Sequence, residues 1–317
     1  MSEARAGMGR ATDCVDLDHV RFDEVRCDVI HAHVTDRLVD ERVRRWSELV
    51  TWARRHDIPL VVTLHDLPQI AEGTERCHRR RRRMREIASD AALVVVSSEH
   101  ERCAADAMGV SAAVVPHPVF RRPQAPQRPR TTHSTSLTVA GFIHPGKGVV
   151  EFLHSLGSVA GTALEGWELR LVGGVATGHE KHVEEIRRTA RRIGLSLVVT
   201  GEVSVGRWVD ELLGARFAIA PHLHCSASGS ILSWTSVGVR PFVSRHPFST
   251  ELERDHPDAV TVVDRPGDWG DVLFDALVHE RSSRGPGPSW RRPEASVDVF
   301  DAALDALVDQ TPDGWTR

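Results

Sequence analysis

Short apolar runs, each followed by a polar turn and then by a helix-like stretch, recur along most of this 317-residue chain. Apolar runs without alternating polar residues are typical of strands that are buried on both faces of a parallel sheet. The predicted strands lie at 27–34, 59–66, 92–99, 112–119, 136–143, 167–174, 195–202, 217–224, 240–246 and 259–264. Strands that alternate with helices in this way predict an α/β chain with doubly wound parallel sheets.

Helical periodicity fills several of the intervals between these runs. In the interval after the first run, five apolar residues fall on one face of a predicted helix: Val43, Trp46, Leu49, Val50 and Ala53. Further helices are predicted at 182–194, 230–237 and 296–310. Parallel strands require a crossover connection, usually a helix, so these helices agree with the predicted sheets.

Two stretches without apolar periodicity divide the pattern. Residues 121–136 are rich in proline and predict a linker between two domains, and residues 280–293 form a second flexible stretch. A chain of this length can bury two separate cores. We therefore expect a shortened N-terminal Rossmann-like domain over 1–125, a C-terminal Rossmann-like domain over 126–285, and a terminal helical segment over 286–317.

Composition narrows the class of protein and its partners. The formal net charge is −4, so we expect no nucleic-acid partner. The N-terminal sequence lacks the apolar core of a signal peptide, and no run of about 18 apolar residues is present to span a membrane. Five cysteines have spacings that suit neither a disulfide framework nor a zinc ribbon: Cys14, Cys27, Cys77, Cys103 and Cys225. These features predict a soluble protein of the reducing cytoplasm.

An arginine-rich run, Arg79–Arg85, has two interpretations. Such a run most often forms the solvated face of a helix. The alternative is a patch for anionic lipid headgroups, to which each basic residue near the surface contributes about 1 kcal/mol. The second interpretation places the protein peripherally at the inner face of the plasma membrane.

The segment GFIHPGKGVVEF, residues 141–152, contains one of only two lysines in the chain. It follows a predicted strand, turns through a His-Pro-Gly sequence that ends at Gly146, and is predicted to open a helix at Lys147 and Gly148. Helix N-termini attract anions, glycine lets a ligand approach the backbone closely, and a lysine can reach a phosphate. The alternative is a tight turn with a solvated lysine.

A second loop, in the segment HLHCSASGSILSW at 222–234, directly follows another predicted strand. Four small residues lie where the helix 230–237 should start: Ser226, Ser228, Gly229 and Ser230. Their hydroxyls and amides could cradle an anion, or they could simply cap the helix. Both loops could bind an anion, and both follow strands of one predicted sheet, so they would meet at its carboxyl edge. This arrangement favours a diphosphate ligand in a single crevice.

A third candidate lies in the N-terminal half, where His65 ends the run VVTLH. A histidine at a strand end can donate a hydrogen bond to a ligand or exchange a proton near neutral pH, although a purely structural role is commoner. Three more histidines lie at similar positions: His31, His33 and His117. Their spacing matches no defined metal site, so we predict no metal.

Taken in order, several segments resemble the retaining glycosyltransferases of the GT-B fold, in the large group called glycosyltransferase family 4. The segments are DVIHAH, IPLVVTLHD, ALVVVSSEHE, VVPHPV, GFIHPGKGVVEF, LRLVGG, TGEV and SASGSILSWTSVGVRPFVS. The resemblance covers about residues 27–310. It implies two Rossmann-like domains that face a central cleft.

The resemblance assigns roles only to residues that match the family's motifs. Lys147 matches the lysine that contacts the donor's diphosphate, and 228–230 matches the segment whose amides meet that group. Gly173 and Gly174 match a loop that lines the donor cleft. His65 matches the histidine that lies close to the donor sugar.

The implied reaction moves a sugar from a nucleotide-diphosphate donor to an acceptor, with retention of anomeric configuration. The donor would bind the C-terminal domain, and a glycan, lipid-linked or small-molecule acceptor would bind the N-terminal domain. The resemblance implies neither a metal nor another cofactor, because lysine and helix dipoles stabilise the departing diphosphate. The terminal helix would cross back onto the N-terminal domain.

Departures from the family pattern support alternative functions. Phe142 stands where the family usually has an arginine, and the two glutamates spaced Glu-x7-Glu are replaced by Cys225 or Ser226 and by Ser233 or Trp234. One alternative is therefore a non-catalytic GT-B-like protein that binds a nucleotide or glycan, or supports a partner enzyme. Another is a GT-B sugar-nucleotide epimerase, for which no acid/base carboxylates can be placed.

Overall fold

The computed structural model describes residues 17–35, 43–70, 73–117, 132–157, 163–279, 283 and 302–303. The chain divides into two compact units, of which the first comprises Met1–Pro118 and Arg291–Arg317 and the second comprises Val119–Trp290. The predicted linker at 121–136 lies mostly outside the described residues, as does the predicted helix 296–310 apart from two helical residues, 302–303.

The first unit contains a four-stranded parallel sheet with the order β1-β2-β3-β4. Its strands are β1 (Ile30–Val34), β2 (Leu60–Leu64), β3 (Leu93–Val96) and β4 (Ala113–Val114). Its helices are α1 (Val43–Arg55), α2 (Thr74–Ser89) and α3 (Glu99–Asp106). The strand order advances in one direction, so the described part of this sheet contains no reversal of strand order.

Burial explains why these segments form the first unit. All five residues of β2 are buried, as expected for a central parallel strand. The α1 residues Trp46, Leu49, Val50 and Ala53 pack into the same core, which confirms the predicted helical face for these four. The indole Nε1 of Trp46 donates a 3.0 Å hydrogen bond to Asp90 at the end of α2.

The arginine run lies in α2 and is not uniformly solvated. Arg80 is only 1% exposed, and its guanidinium donates a hydrogen bond of 2.5 Å to the carbonyl oxygen of Asp66. Arg79, Arg82 and Arg85 are exposed. The solvated-face prediction is therefore wrong for Arg80, whose charge supports the turn after β2.

The second unit contains a six-stranded parallel sheet with the order β10-β9-β8-β5-β6-β7. Its strands are β5 (His133–Ala140), β6 (Glu168–Val172), β7 (Ser196–Val199), β8 (Ala215–Ala220), β9 (Phe242–Ser244) and β10 (Thr261–Val263). Its helices are α4 (Val149–Ser155), α5 (Glu180–Arg192), α6 (Val205–Gly214), α7 (Gly229–Ser236), α8 (Pro247–Asp255) and α9 (Trp269–Val278).

This strand order has one reversal. The chain builds β5, β6 and β7 in one direction and then crosses back to place β8 on the other side of β5. This is the six-stranded doubly wound order, in which ligands bind beyond the carboxyl ends of the strands at the reversal. The loops that follow β5 and β8 are therefore the ones that the fold itself brings to a binding position.

All ten predicted strands are present, which confirms the predicted α/β class, although most are shorter than predicted. The main error concerns 133–136, which were assigned to the linker but begin β5. Within the described residues, no helix combines the length and apolar character that a membrane span requires. Cys14 lies outside the described ranges. The other four cysteines are free thiols: Cys27, Cys77, Cys103 and Cys225.

Candidate functional site

The loops after β5 and β8 are joined by their backbones. The amide of Leu223 donates a 3.1 Å hydrogen bond to the carbonyl oxygen of Gly146. Gly148 has a left-handed conformation, with φ 68°, and a Cβ at this position would overlap the carbonyl oxygen of Pro221. Only glycine allows the two loops to approach this closely.

Lys147 connects the same two loops through its side chain. Its ammonium group donates to the carbonyl oxygen of Ala140 at 3.2 Å, to Nε2 of His222 at 3.0 Å and to Oγ of Ser230 at 2.8 Å. Only 7% of the residue is exposed. The alternative of a solvated lysine is therefore wrong, because all three N–H groups are used inside the protein.

The ammonium group of Lys147 is buried among neutral partners. Burial lowers the pKa of Lys147 from 10.5 to about 8, and the nearby thiol of Cys225 opposes this shift. Burial also lowers the pKa of His222 well below its usual value, so its ring is neutral and its Nε2 can accept a hydrogen bond from the lysine. Among the described residues, no carboxylate forms an ion pair with Lys147. A buried cation without an anionic partner is costly and is suited to receive an anionic ligand.

The predicted serine-rich helix start forms α7, beginning at Gly229. Ser228 caps this helix, since its Oγ accepts a 3.3 Å hydrogen bond from the amide of Ile231. The capping alternative is thus correct for Ser228, whereas Ser230 contacts Lys147 and lies 3.0 Å from the Ser228 hydroxyl. Ser226 is buried just before this turn. The two amides that precede Ile231 in α7, those of Gly229 and Ser230, have no carbonyl within the helix to bond and can face an anion.

Glycines bring the loop after β6 against the loop after β5. The amide of Gly141 donates to the carbonyl oxygen of Val172 at 2.9 Å, and a Cβ at Gly173 would overlap the carbonyl oxygen of Gly141. A Cβ at Gly141 would lie 2.8 Å from Nζ of Lys147. Gly174 follows, and its carbonyl oxygen accepts a 2.9 Å hydrogen bond from Ile143. The backbone at Gly141 therefore lies close to the ammonium group of Lys147.

The local structure around Lys147 differs from the prediction. Residues 145–147 form a short 3₁₀ turn, and the following helix α4 begins at Val149 with Gly148 as its N-cap. Lys147 therefore precedes the helix instead of opening it. Its neighbour His144 is also neutral, since burial lowers its pKa to about 4, with Lys147 contributing further.

In the first unit, His65 belongs to a row of histidine rings. Its Nε2 lies 2.9 Å from Nδ1 of His33, so the two rings share a hydrogen bond. His117 stacks on His65 with ring centroids 5.8 Å apart, and His31 lies beside His33 at 4.5 Å. The sequence identified all four rings at strand ends, but the structure alone brings them together.

Three rings of the row, those of His33, His65 and His117, are neutral at pH 7. Burial, together with repulsion from His33 and His117, lowers the pKa of His65 to about 4. Burial is also the main cause that lowers the pKa of His33 and of His117. Within the described residues, no group of three or more His, Cys, Asp or Glu side chains is arranged to hold a metal ion. The row offers neutral hydrogen-bonding groups.

Sequence reasoning missed one residue of the site, His222. Its imidazole is 7% exposed and accepts a hydrogen bond from Lys147, a residue 75 positions earlier in the chain. The only signal in the sequence was its position, directly after β8. Such a position is shared with many structural histidines, so the contact could not be recognised without the sheet order.

Comparisons with known proteins find similarity in structure alone. No protein-family model matches the sequence, and no curated protein sequence matches it. Among solved structures, HepE of Anabaena in complex with UDP and glucose has a TM-score of 0.65 and 14% identity, covering 89% of this chain and 78% of that chain. Sucrose-phosphate synthase from Thermosynechococcus elongatus has a TM-score of 0.58 and 15% identity, covering 88% and 72%.

A third structure is an α,α-trehalose-phosphate synthase (UDP-forming) from Burkholderia xenovorans in complex with glucose-6-phosphate. Its TM-score is 0.58 and its identity 12%, and the match covers 88% of this chain and 69% of that chain. The three neighbours are GT-B glycosyltransferases. The chain therefore has the GT-B fold of two Rossmann-like domains, as predicted from the sequence.

Proposed function

We propose that this protein is a glycosyltransferase that moves a sugar from a nucleotide-diphosphate donor to an acceptor, with retention of anomeric configuration. The buried ammonium group of Lys147 carries the proposal. It lies at the strand reversal of a doubly wound sheet, has only neutral partners, and is joined to the start of α7. These are the features that a diphosphate requires: a charge, free amides and a glycine-lined approach.

The leaving diphosphate would be stabilised by two groups. The Lys147 ammonium would exchange its bond with the Ser230 hydroxyl for one with a phosphate oxygen, and the first amides of α7, at Gly229 and Ser230, would bind a second oxygen. Charge that develops on the leaving group then meets donors that are already oriented, which lowers the barrier to departure. We propose that this reaction needs neither a metal ion nor another cofactor.

The first unit would contribute the acceptor site and His65. A neutral imidazole with one ring nitrogen bonded to His33 can donate or accept a single hydrogen bond with a sugar hydroxyl. It would remain neutral through the physiological pH range, because its pKa is about 4. We assign it to positioning the donor sugar.

The acceptor would be a glycan, a lipid-linked sugar or a small molecule, and we propose a cytoplasmic location. If the acceptor is lipid-linked, the exposed residues Arg79, Arg82 and Arg85 of α2 would contact anionic headgroups at the inner face of the plasma membrane. Co-sedimentation with phosphatidylglycerol vesicles tests this contact. If a variant with all three arginines changed to glutamine binds the vesicles as well as the wild type does, these arginines do not form the membrane contact.

A non-catalytic nucleotide-binding protein is the second candidate, and one observation favours it. The positions where the resembled family has carboxylates are occupied by Cys225 or Ser226 and by Ser233 or Trp234, and the Ser233 hydroxyl donates to the carbonyl oxygen of Gly229 at 2.7 Å. The donor sugar therefore lacks those two carboxylate contacts. Such a protein would bind a nucleotide without turnover.

Ligand-dependent melting separates the candidates when it is combined with a transfer assay. UDP, GDP, ADP and their common sugar conjugates are screened, since a ligand that binds only the folded protein raises its melting temperature. Stabilisation by one nucleotide together with release of sugar from its conjugate supports the glycosyltransferase. Stabilisation without release supports the non-catalytic protein, and no stabilisation by any of them contradicts both.

The affinity for UDP should depend on pH through Lys147. The free protein holds this lysine at a pKa of about 8, and the diphosphate binds the protonated form. Affinity should therefore be constant from pH 7 to just below 8 and fall above it, reaching about a tenfold loss at pH 9. Isothermal titration across this range measures the profile. A wild-type profile that stays flat, or one that Lys147→Met reproduces, would show that another group is responsible.

A further inference from the structure

Phe142 is an exposed aromatic residue beside the buried lysine. It follows Gly141 at the end of β5, and 63% of it is exposed. Its neighbour Ile143 is 4% exposed and lies in the core. An exposed aromatic ring on an ordered loop offers a flat apolar face that the ring of a ligand can cover.

The backbone around Phe142 is fixed on both sides. The amide of Gly141 donates to Val172, the amide of Ile143 donates to Gly174 at 2.9 Å, and the carbonyl oxygen of Ile143 accepts from Ala176 at 3.0 Å. All three partners belong to β6 or to the loop after it. The phenyl ring is therefore attached to an ordered backbone, and a ligand that contacts it need not order the loop first.

Phe142 is also close to the position proposed for the diphosphate. The residue before it, Gly141, approaches the Lys147 ammonium so closely that a Cβ would lie 2.8 Å from Nζ. A second exposed apolar side chain, Leu223 at 41%, lies on the loop after β8 that is bonded to Gly146. Each of the two loops that meet at the lysine thus carries an exposed apolar side chain.

We propose that Phe142 is a specificity-determining residue that stacks on a ring attached to the bound phosphates. This inference rests on the proposed function and adds the chemistry of one contact. The ligand would present a flat or weakly polar ring face to Phe142, and this face could belong either to the nucleobase or to the donor sugar. The resembled family usually has an arginine at this position, whose charge can contact a phosphate. A phenyl ring offers instead a contact that depends on the shape of the ligand's ring.

Three ligands distinguish the sources of the ring. Pyrophosphate carries charge alone, UDP adds a base and ribose, and glucose 1-phosphate adds a sugar. Titration calorimetry with wild type and Phe142→Ala should show affinity for at least one ring-bearing ligand reduced about fivefold or more, with affinity for pyrophosphate unchanged. Loss with UDP identifies the base or ribose, and loss with glucose 1-phosphate identifies the sugar.

The chain offers a matched control in Phe274. This second exposed phenylalanine, at 48%, lies on α9 and not on a loop at the carboxyl edge. Phe274→Ala should leave all three affinities unchanged, and Phe142→Tyr, which keeps the ring, should retain wild-type affinity. Unchanged affinity of Phe142→Ala for pyrophosphate shows that its loss with the other ligands does not arise from misfolding.

Failure of this inference is distinguishable from failure of the proposed function. If Lys147→Met abolishes binding of the three ligands while Phe142→Ala changes none of them, the phosphate site stands and the stacking role is wrong. An equal loss of pyrophosphate and ring-bearing ligands in Phe142→Ala also overturns the stacking role. If wild type binds none of the three, both proposals fail together.

Discussion

We expect Lys147→Met to reduce the affinity for UDP about a hundredfold, while the melting temperature of the empty protein changes by only a few degrees. One preorganised charged contact of this kind is worth about 3 kcal/mol, which is two powers of ten in binding. The same contact acts on the leaving group, so Lys147→Ala should reduce turnover about a hundredfold or more. Calorimetric titration, thermal melting and initial rates measure the three quantities.

The small change in stability follows from two opposing terms. The pKa of Lys147 is lower in the folded protein than its ordinary value of 10.5, so at pH 7 folding must keep a proton on a group that burial disfavours. Removing the charge relieves up to about 3 kcal/mol of the destabilisation that the buried ammonium group causes. In the wild-type protein the same destabilisation falls as the pH rises above 8. Loss of three hydrogen bonds of about 1 kcal/mol each offsets the gain.

Lys181 supplies the control, as the other lysine of the chain. It is exposed near the start of α5, so Lys181→Met should leave both affinity and turnover unchanged. Equal losses in the two variants would indicate a general effect of net charge. Retention of full affinity by Lys147→Met would remove the lysine from the site.

We expect Gly148→Ala to destabilise the second unit by about 3 kcal/mol or more and to abolish nucleotide binding. The backbone has φ 68°, and the new Cβ would overlap the carbonyl oxygen of Pro221, so the loops after β5 and β8 must separate. Strain and a backbone clash are among the few mechanisms that produce such large losses. Chemical denaturation measures the free energy of unfolding.

Gly194→Ala separates strain from the clash. Gly194 also has a positive φ, 82°, but nothing lies within 4 Å of its Cβ position. Its substitution should therefore cost only the 1–2 kcal/mol or so of the left-handed conformation and leave binding intact. Equal destabilisation by the two variants would contradict the close approach of the loops at Gly148.

The sequence predicted the sheets well because parallel strands buried on both faces appear as unbroken apolar runs. It failed at 133–136, where β5 begins with polar residues. Ser136 and Thr138 are fully buried in this strand, and their hydroxyls bond to each other at 3.2 Å. Polar groups satisfied inside a sheet resemble a linker when only composition is available.

The site was predictable in its parts but not in its contacts. Lys147 and Ser230 were identified because glycine, lysine and serine at helix starts have a known affinity for anions. Their contact with each other, and with His222, depends on the crossing of the chain from β7 back to β8. The histidine row has the same origin, since the register that pairs His33 with Thr63 brings His65 alongside it.

The hydrogen bond between Lys147 and Ser230 has a kinetic consequence. If Lys147 binds a diphosphate as proposed, the Ser230 hydroxyl, 2.8 Å from its ammonium group, would accept the ammonium N–H again when that diphosphate departs. The bond from Lys147 to Ser230 would then replace the bond to the departing product, so that the ammonium N–H would not need a water molecule as its acceptor. Under this proposal, a Ser230→Ala variant should hold its product more tightly, because the serine would compete with the product for the ammonium group and shorten the lifetime of the product complex.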